Sequence, residues 1–212
     1  GNVAVGREAL YANTTAIANT AVGYRSLYLN TTGSSNAAFG YEALKSNTTG
    51  GDNSSFGLES LEDNTTGADN TAVGYRALRA NTTANYNVAV GAESLEANTT
   101  GTQNTAVGYK AGEAITTGDN NTVIGRTAGQ DITTGGNNLC LGNHAGKSAS
   151  PSGSITTGSN SIVLGDNSPT NAYIKIDWTV TSDRRDKTDI TPFNHGLSWI
   201  NKLNPVTYRW DN

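Results

Sequence analysis

The chain has 212 residues, a net charge of −4 and 15% charged residues, and Gly (25), Asn (26) and Thr (30) together supply more than a third of it. A globular domain usually carries about 25% charged residues, and this mixture favours turns and short strands over helices because Gly and Asn accept positive φ and Thr is β-branched. Composition therefore excludes a thick conventional core, and with no Lys/Arg cluster before residue 184 no nucleic-acid partner is expected.

A period of 17 residues organises the chain from its first residues: Gly6, Gly23, Gly40, Gly57, Gly74, Gly91, Gly108, Gly125 and Gly142 are evenly spaced, and a tenth unit ends at Gly165 after six inserted residues. An asparagine stands four positions before each of the first nine glycines, from Asn2 to Asn138. Just before the glycine lies an apolar residue (Val5, Val22, Phe39, Phe56 and their successors to Leu164), itself preceded by alanine or another small residue. This spacing predicts a short strand ended by a glycine that permits a sharp turn or a close approach of backbones.

Each unit continues through a small residue to a leucine (Leu10, Leu27, Leu44, Leu61, Leu78, Leu95) and closes with an Asn-Thr-Thr turn. In the later units the leucine becomes Gly112, Gly129 and Gly146, and an isoleucine stands in the following stretch as Ile115, Ile132 and Ile155. The apolar side chain has moved without vanishing, as a core of limited volume requires.

No single unit can bury its apolar side alone, so the units must stack, each pairing its backbone with the next. Ten stacked coils spaced by a strand separation make a rod about 50 Å long. Only about two large apolar side chains per unit are available against an ordering cost on the order of 1 kcal/mol per residue. Association of three chains around one axis would bury a second face and cover strand edges; the residues alone also admit a monomeric solenoid or a pair. The fold class expected is thus all-β, a repetitive parallel β-solenoid or β-roll of 17-residue units over residues 1–165, assembled as a homotrimer.

The N-T-A-V-G-Y-R-A-L and N-T-T-G units resemble the repeats of bacteriophage tail fibres and, more distantly, the head repeats of trimeric autotransporter adhesins. The resemblance implies a parallel β-roll trimer, a virion location in a phage tail, extracellular when mature and assembled in the host cytoplasm, with other tail proteins and a host surface glycan or protein receptor as partners.

Past Gly165 the period stops, and residues 166–181 form a connecting region. From Ala172 to Thr181, Ile174, Ile176 and Trp178 alternate with polar residues, a strand pattern with one apolar face. A short helix is predicted over 194–203 and a strand in the closing N-P-V-T-Y-R-W. Ser182, Asp183, Arg185 and Lys187, followed by the apolar and proline pattern from Leu197 to Trp210, resemble the start of the endosialidase-type intramolecular chaperone, a small α+β beginning over residues 182–212. The chain lacks Met, begins inside a repeat and ends after an unfinished strand, so a longer protein is expected. The resemblance implies that the chaperone trimerises the fibre and then cuts the Thr181–Ser182 bond, with Ser182 as nucleophile, Lys187 as its base, and Asp183 and Arg185 as supporting motif positions. Read without the resemblance, the same residues form a solvated turn or a helix cap.

Tyrosines after the repeat glycine (Tyr24, Tyr41, Tyr75, Tyr109) and in the loops (Tyr11, Tyr28, Tyr86) could stack on sugars; their shared register favours packing over the turns between coils. The Asn-Thr-Thr turns satisfy the N-glycosylation pattern, but their regular place argues for asparagine holding a turn as a hydrogen-bonded ladder. The acidic turns at Asp52, Asp69 and Asp119 lack the ligand density of calcium repeats. His144 and His195 sit in no metal motif, so neither a metal nor a cofactor is expected. Cys140 takes the place of the small residue of the strand and reads as a buried apolar side chain. No apolar run reaches the ~18 residues of a membrane span, so no membrane insertion is expected, and no substrate turnover beyond the self-cleavage. The alternative readings are a bacterial trimeric surface adhesin head and a glycan-degrading tail spike, the latter disfavoured by the lack of paired acidic residues.

Overall fold

A computed structural model describes residues 1–148, 150, 152–166 and 168. The chain divides into two units, Gly1–Asn171 and Ala172–Asn212, and every described residue belongs to the first. The strand expected over 172–181, the helix over 194–203, the closing strand and the four motif residues Ser182, Asp183, Arg185 and Lys187 lie outside the described residues.

Ten strands of three residues each follow one another: β1 (Val3–Val5), β2 (Thr20–Val22), β3 (Ala37–Phe39), β4 (Ser54–Phe56), β5 (Thr71–Val73), β6 (Val88–Val90), β7 (Thr105–Val107), β8 (Thr122–Ile124), β9 (Leu139–Leu141) and β10 (Ile162–Leu164). They form one parallel sheet in strictly sequential order. The register follows the sequence period: Thr20 pairs with Ala37, Ala21 with Ala38 and Val22 with Phe39, 17 residues on. Only β9 to β10 departs, where Leu139 pairs with Ile162 across the longer coil that holds the insertion. The described residues are an all-β parallel solenoid without a helix.

Inter-coil hydrogen bonds run round the whole perimeter. Away from the strands, the Arg25 amide donates to the Arg7 carbonyl of the preceding coil, while the Leu27 and Leu29 amides donate to Ala43 and Lys45 of the following one. Turning amides both ways requires left-handed residues, and three columns adopt them at φ of 50° to 62°: Glu8, Arg25 and their equivalents two positions after each strand glycine, Leu10 to Leu95, and Ala18, Ser35 and the residues at the same place in later coils. Such a conformation costs an L-residue on the order of 1–2 kcal/mol, offset here by the ladder it completes and, for the leucines from Leu27 to Leu95, by full burial. The strand glycines from Gly6 to Gly125 stand at φ of 127° to 148°, and a Cβ on Gly91 would lie 2.5 Å from the Gly108 carbonyl oxygen. Close backbone approach, as well as φ, therefore reserves that column for glycine.

The core is narrow. Its floor is the middle residue of each strand from β2 to β10, Ala21, Ala38, Ser55, Ala72, Ala89, Ala106, Val123, Cys140 and Val163, and its filling is Leu27, Leu44, Leu61, Leu78, Leu95, Ile115, Ile132 and Ile155. The expected relocation of the leucine is real and has a visible cause. A Cβ on Gly112 would lie 2.9 Å from Ile115 Cδ1 and 3.0 Å from Leu95 Cδ2, so the isoleucine occupies the volume that a leucine would need. At Gly129 the competing atoms are Val123 Cγ1 and Ile132 Cδ1; the enlarged floor residue takes part of the same space.

One expectation requires correction. Two large apolar side chains per coil were available to the core, but only one enters it. The residue before each glycine points outward: Val5, Phe39, Phe56, Val73, Val107, Ile124 and Leu164 are 36–55% exposed. In a strand successive side chains face opposite sides, and the gap between the two walls of the coil admits Ala or Ser opposite a core leucine, with Val123, Cys140 and Val163 entering only in the coils after glycine has replaced that leucine.

Candidate functional site

Because every coil repeats the last, the surface of the solenoid consists of columns, and each column has its own chemistry. The first and third residues of the ten strands make two adjacent columns that face outward, composed of Val, Ile, Leu, Phe, Ala, Thr and Ser. None of these twenty positions carries an ionisable side chain. Phe39 and Phe56 stack on one another there, with ring centroids 4.9 Å apart.

Beyond the glycine the tyrosines form a further column. Tyr24 and Tyr41 stack at 5.1 Å, as do Tyr11 and Tyr28 at 5.3 Å. Arg25 lies over both Tyr24 and Tyr28, 5.0 and 5.2 Å from their centroids. The rings thus pack across coils in register, as expected, while Tyr11, Tyr41, Tyr75, Tyr86 and Tyr109 remain exposed.

The second and fifth residues after each glycine carry the charges, paired from coil to coil. Arg25 Nε sits 2.6 Å from Glu8, Arg76 Nε 2.7 Å from Glu59, and Lys45 Nζ bridges Glu42 and Glu62 at 3.0 and 3.1 Å. The hydrogen bond from Arg25 holds the Glu8 carboxyl below its ordinary range; Glu42, then Glu62, hold Lys45 above its own. Glu93, Glu96 and Glu113 bring carboxylate oxygens within 4.8 Å of one another. Lys110 sits among them, 2.9 Å from Glu93 and 2.8 Å from Glu113, with its pKa raised first by Glu113 and then by Glu93. Arg79 Nε lies 3.4 Å from Glu96, an ion pair by distance without hydrogen-bond geometry.

Two columns of asparagine line the interior. In the first, Asn53 Oδ1 accepts the Asn70 amide of the next coil at 3.0 Å, and Asn70 Nδ2 donates to the Ala84 carbonyl at 2.8 Å. In the second, the Asn-Thr-Thr turns, Asn47, Asn64, Asn81 and Asn98 each donate Nδ2 to the Oδ1 of the asparagine one coil before, at 2.7–3.1 Å. These amides are fully buried and spent on the ladder, so the glycosylation pattern in those turns reflects backbone satisfaction. The ladder ends where Ile115 replaces the next asparagine, leaving Asn98 Oδ1 without a partner.

Cys140 is buried in the strand floor, as expected, and burial pushes its thiol up to about 11. Of the acidic turns, Asp119 accepts hydrogen bonds from the Thr102 amide and hydroxyl at 2.6 and 2.9 Å. His144 meets Arg126 Nη1 at 3.1 Å, with Asp166 3.9 Å from its other ring nitrogen. The outward uncharged columns and the left-handed charged column had no distinct sequence signal, because Val and Ala are both apolar and Glu and Arg are not residues that announce positive φ.

The fold is that of a parallel β-solenoid of regular coils. Its C-terminal continuation, residues 182–212, matches the family described as chaperone of endosialidase. The match begins at Ser182, the serine of the motif. No curated protein and no solved structure matches the chain.

Proposed function

We propose that this chain is the shaft of a host-attachment fibre, the distal part of a bacteriophage tail fibre, assembled as a homotrimer under the direction of an intramolecular chaperone that starts at Ser182 and is released by self-cleavage. The observation that carries this reading is the order of parts: a parallel solenoid of sequential coils, then a chaperone-family segment whose first residue is the expected nucleophile. A shaft with one core side chain per coil and an uncharged sheet face left open among the described residues needs assistance to bring copies together, and a chaperone fused to its end supplies it.

The cleavage chemistry is intramolecular. Lys187, in its neutral form, takes the proton of the Ser182 hydroxyl, and Oγ attacks the Thr181 carbonyl carbon, favoured by proximity. The C–N bond breaks as the amine takes a proton, leaving an ester between Thr181 and Ser182 Oγ. Water hydrolyses it to a Thr181 carboxylate and a chaperone with Ser182 as its amino terminus. Asp183 and Arg185 belong to the motif that holds this segment.

Mass spectrometry of the assembled full-length protein tests the reading. A new amino terminus at Ser182 is expected, with release slowed at least ~100-fold in Ser182→Ala and Lys187→Ala, the scale at which loss of a nucleophile or its base is felt. A protein that assembles and stays intact would remove the self-cleavage from this account.

A further inference from the structure

Among the described residues, nothing covers the two outward columns of the sheet. Nine spacings of about 4.8 Å make this face about 43 Å long, and three residues of about 3.3 Å make it about 10 Å wide. Tyr41, Leu58, Tyr75 and Tyr109, all exposed, extend it along the edge beyond the glycines. The strip is uncharged throughout and apolar along the whole of its third-residue column, and an apolar patch of several hundred Å² is at the upper limit of what a monomeric protein leaves in water.

We infer that this face is the contact between copies of the chain, which pack parallel and in register about an axis that runs along the coil stack. The inference rests on the proposed fibre reading and assigns its assembly to particular residues. The argument is one of symmetry and charge. When identical chains surround a common axis, the residue nearest the axis meets the same residue of its neighbours. Any ionised side chain there opposes its own copy, and an ordered column of them multiplies the penalty at every coil. The second and fifth positions after the strand glycines are unsuited to the axis for that reason: almost every coil places Glu, Arg or Lys in at least one of them, already paired within the chain. The outward strand positions are the opposite case, with twenty sites over ten coils and no ionisable group. Thr20, Thr71, Thr105 and Thr122 meet only hydroxyls, which can donate and accept, and Val22, Val73, Val107 and Ile124 meet only methyl groups. Phe39 and Phe56 form a local bulge that matches in adjacent copies only when the copies share one register.

Disulfide cross-linking in the full chain reads this out. In a Cys140→Ala background, which restores the alanine found in other coils, Val22→Cys and Ile124→Cys each place one thiol on the face, near opposite ends. Thr66→Cys places one in the exposed second threonine of a turn. Mild oxidation is expected to link Val22→Cys to itself and Ile124→Cys to itself, giving a covalent pair on non-reducing gels, while Thr66→Cys stays unlinked. A companion Val73→Lys/Val107→Lys variant is expected to fall from three chain masses to one in light scattering with its circular dichroism retained. Three chain masses together with linkage only through Thr66→Cys would overturn the assignment of the face and leave the fibre reading in place. A single chain mass for the unsubstituted protein would overturn both, and linkage of Val22→Cys only to Ile124→Cys in a mixed sample would replace the parallel arrangement by an antiparallel one.

Discussion

Asn70 shows what one residue contributes in a structure made of repeats. Its Oδ1 accepts the Asn87 amide at 3.0 Å and its Nδ2 donates to the Ala84 carbonyl at 2.8 Å, all buried. Removing the side chain leaves the buried Asn87 amide unpaired, at a cost of about 1–3 kcal/mol, while the Ala84 carbonyl keeps its second donor, Asn81 Nδ2 at 3.1 Å. Asn70→Ala is therefore expected to lower stability by about 2 kcal/mol in denaturant titration. Thr66→Ala, at an exposed turn residue of the preceding coil, is expected to stay within about 0.5 kcal/mol. Equal effects of the two would show that the interior ladder contributes nothing beyond surface polarity. The asparagine columns were legible in the sequence because their spacing is as regular as that of the glycines. The left-handed conformations of Glu8, Arg25 and Leu27 were not, since nothing in their side chains asks for that conformation; the ladder between coils imposes it.

At the scale of one coil, the core holds a fixed volume that two residue sets fill. Earlier coils place a left-handed leucine beside a ladder asparagine; later coils place glycine at the first position and isoleucine at the second, with Val123 or Cys140 enlarging the floor. The exchange also relieves a strained residue, because Gly112 takes φ 60° without penalty. Gly112→Leu alone is expected to destabilise by about 2–3 kcal/mol, through overpacking against Ile115 and Leu95. Ile115→Asn alone should cost a similar amount, by emptying the pocket. Combined, they recreate the earlier coil and give Asn98 Oδ1 a donor, so the double variant should recover at least ~1 kcal/mol relative to the sum of the singles. A strictly additive cycle, measured by chemical denaturation, would rule out the volume exchange as the reason for the pattern. The shift of the apolar residue was visible in the sequence; that it trades volume with its neighbour and ends a ladder became visible only in contact distances.

The whole solenoid behaves as a one-dimensional stack in which each coil touches only its neighbours. Deleting residues 58–74, one period of 17, joins Gly57 to Tyr75 and leaves every column continuous. The shortened chain is expected to keep its circular dichroism and cooperative unfolding, with a denaturant dependence smaller by about a tenth, in proportion to the surface lost. A single glycine inserted between Ala72 and Val73 shifts one strand by a residue and reverses its inward and outward sides; that variant should lose stability sharply. The insertion between β9 and β10 is tolerated because it lengthens the coil away from the strands, where no register is at stake. If the deletion unfolded the chain and the inserted glycine did not, nearest-neighbour stacking would be the wrong description.

The amino-acid order by itself determined the period, the stacking, the turn asparagines, the alternation of leucine and isoleucine in the core and the match of Ser182 and its neighbours to a chaperone motif. All of these depend on spacing along the chain, which folding does not alter. Only the tertiary structure decided which apolar residue of each strand is inside. Ala21 and Val22 are both apolar neighbours, and the choice between them is made by the distance between the two walls of the coil. That distance is set by backbone ladders on both sides; opposite a core leucine it leaves room for Ala or Ser, and Val123, Cys140 and Val163 enter only in the coils after glycine has replaced the leucine, while the third residue of each strand turns outward onto one uncharged face.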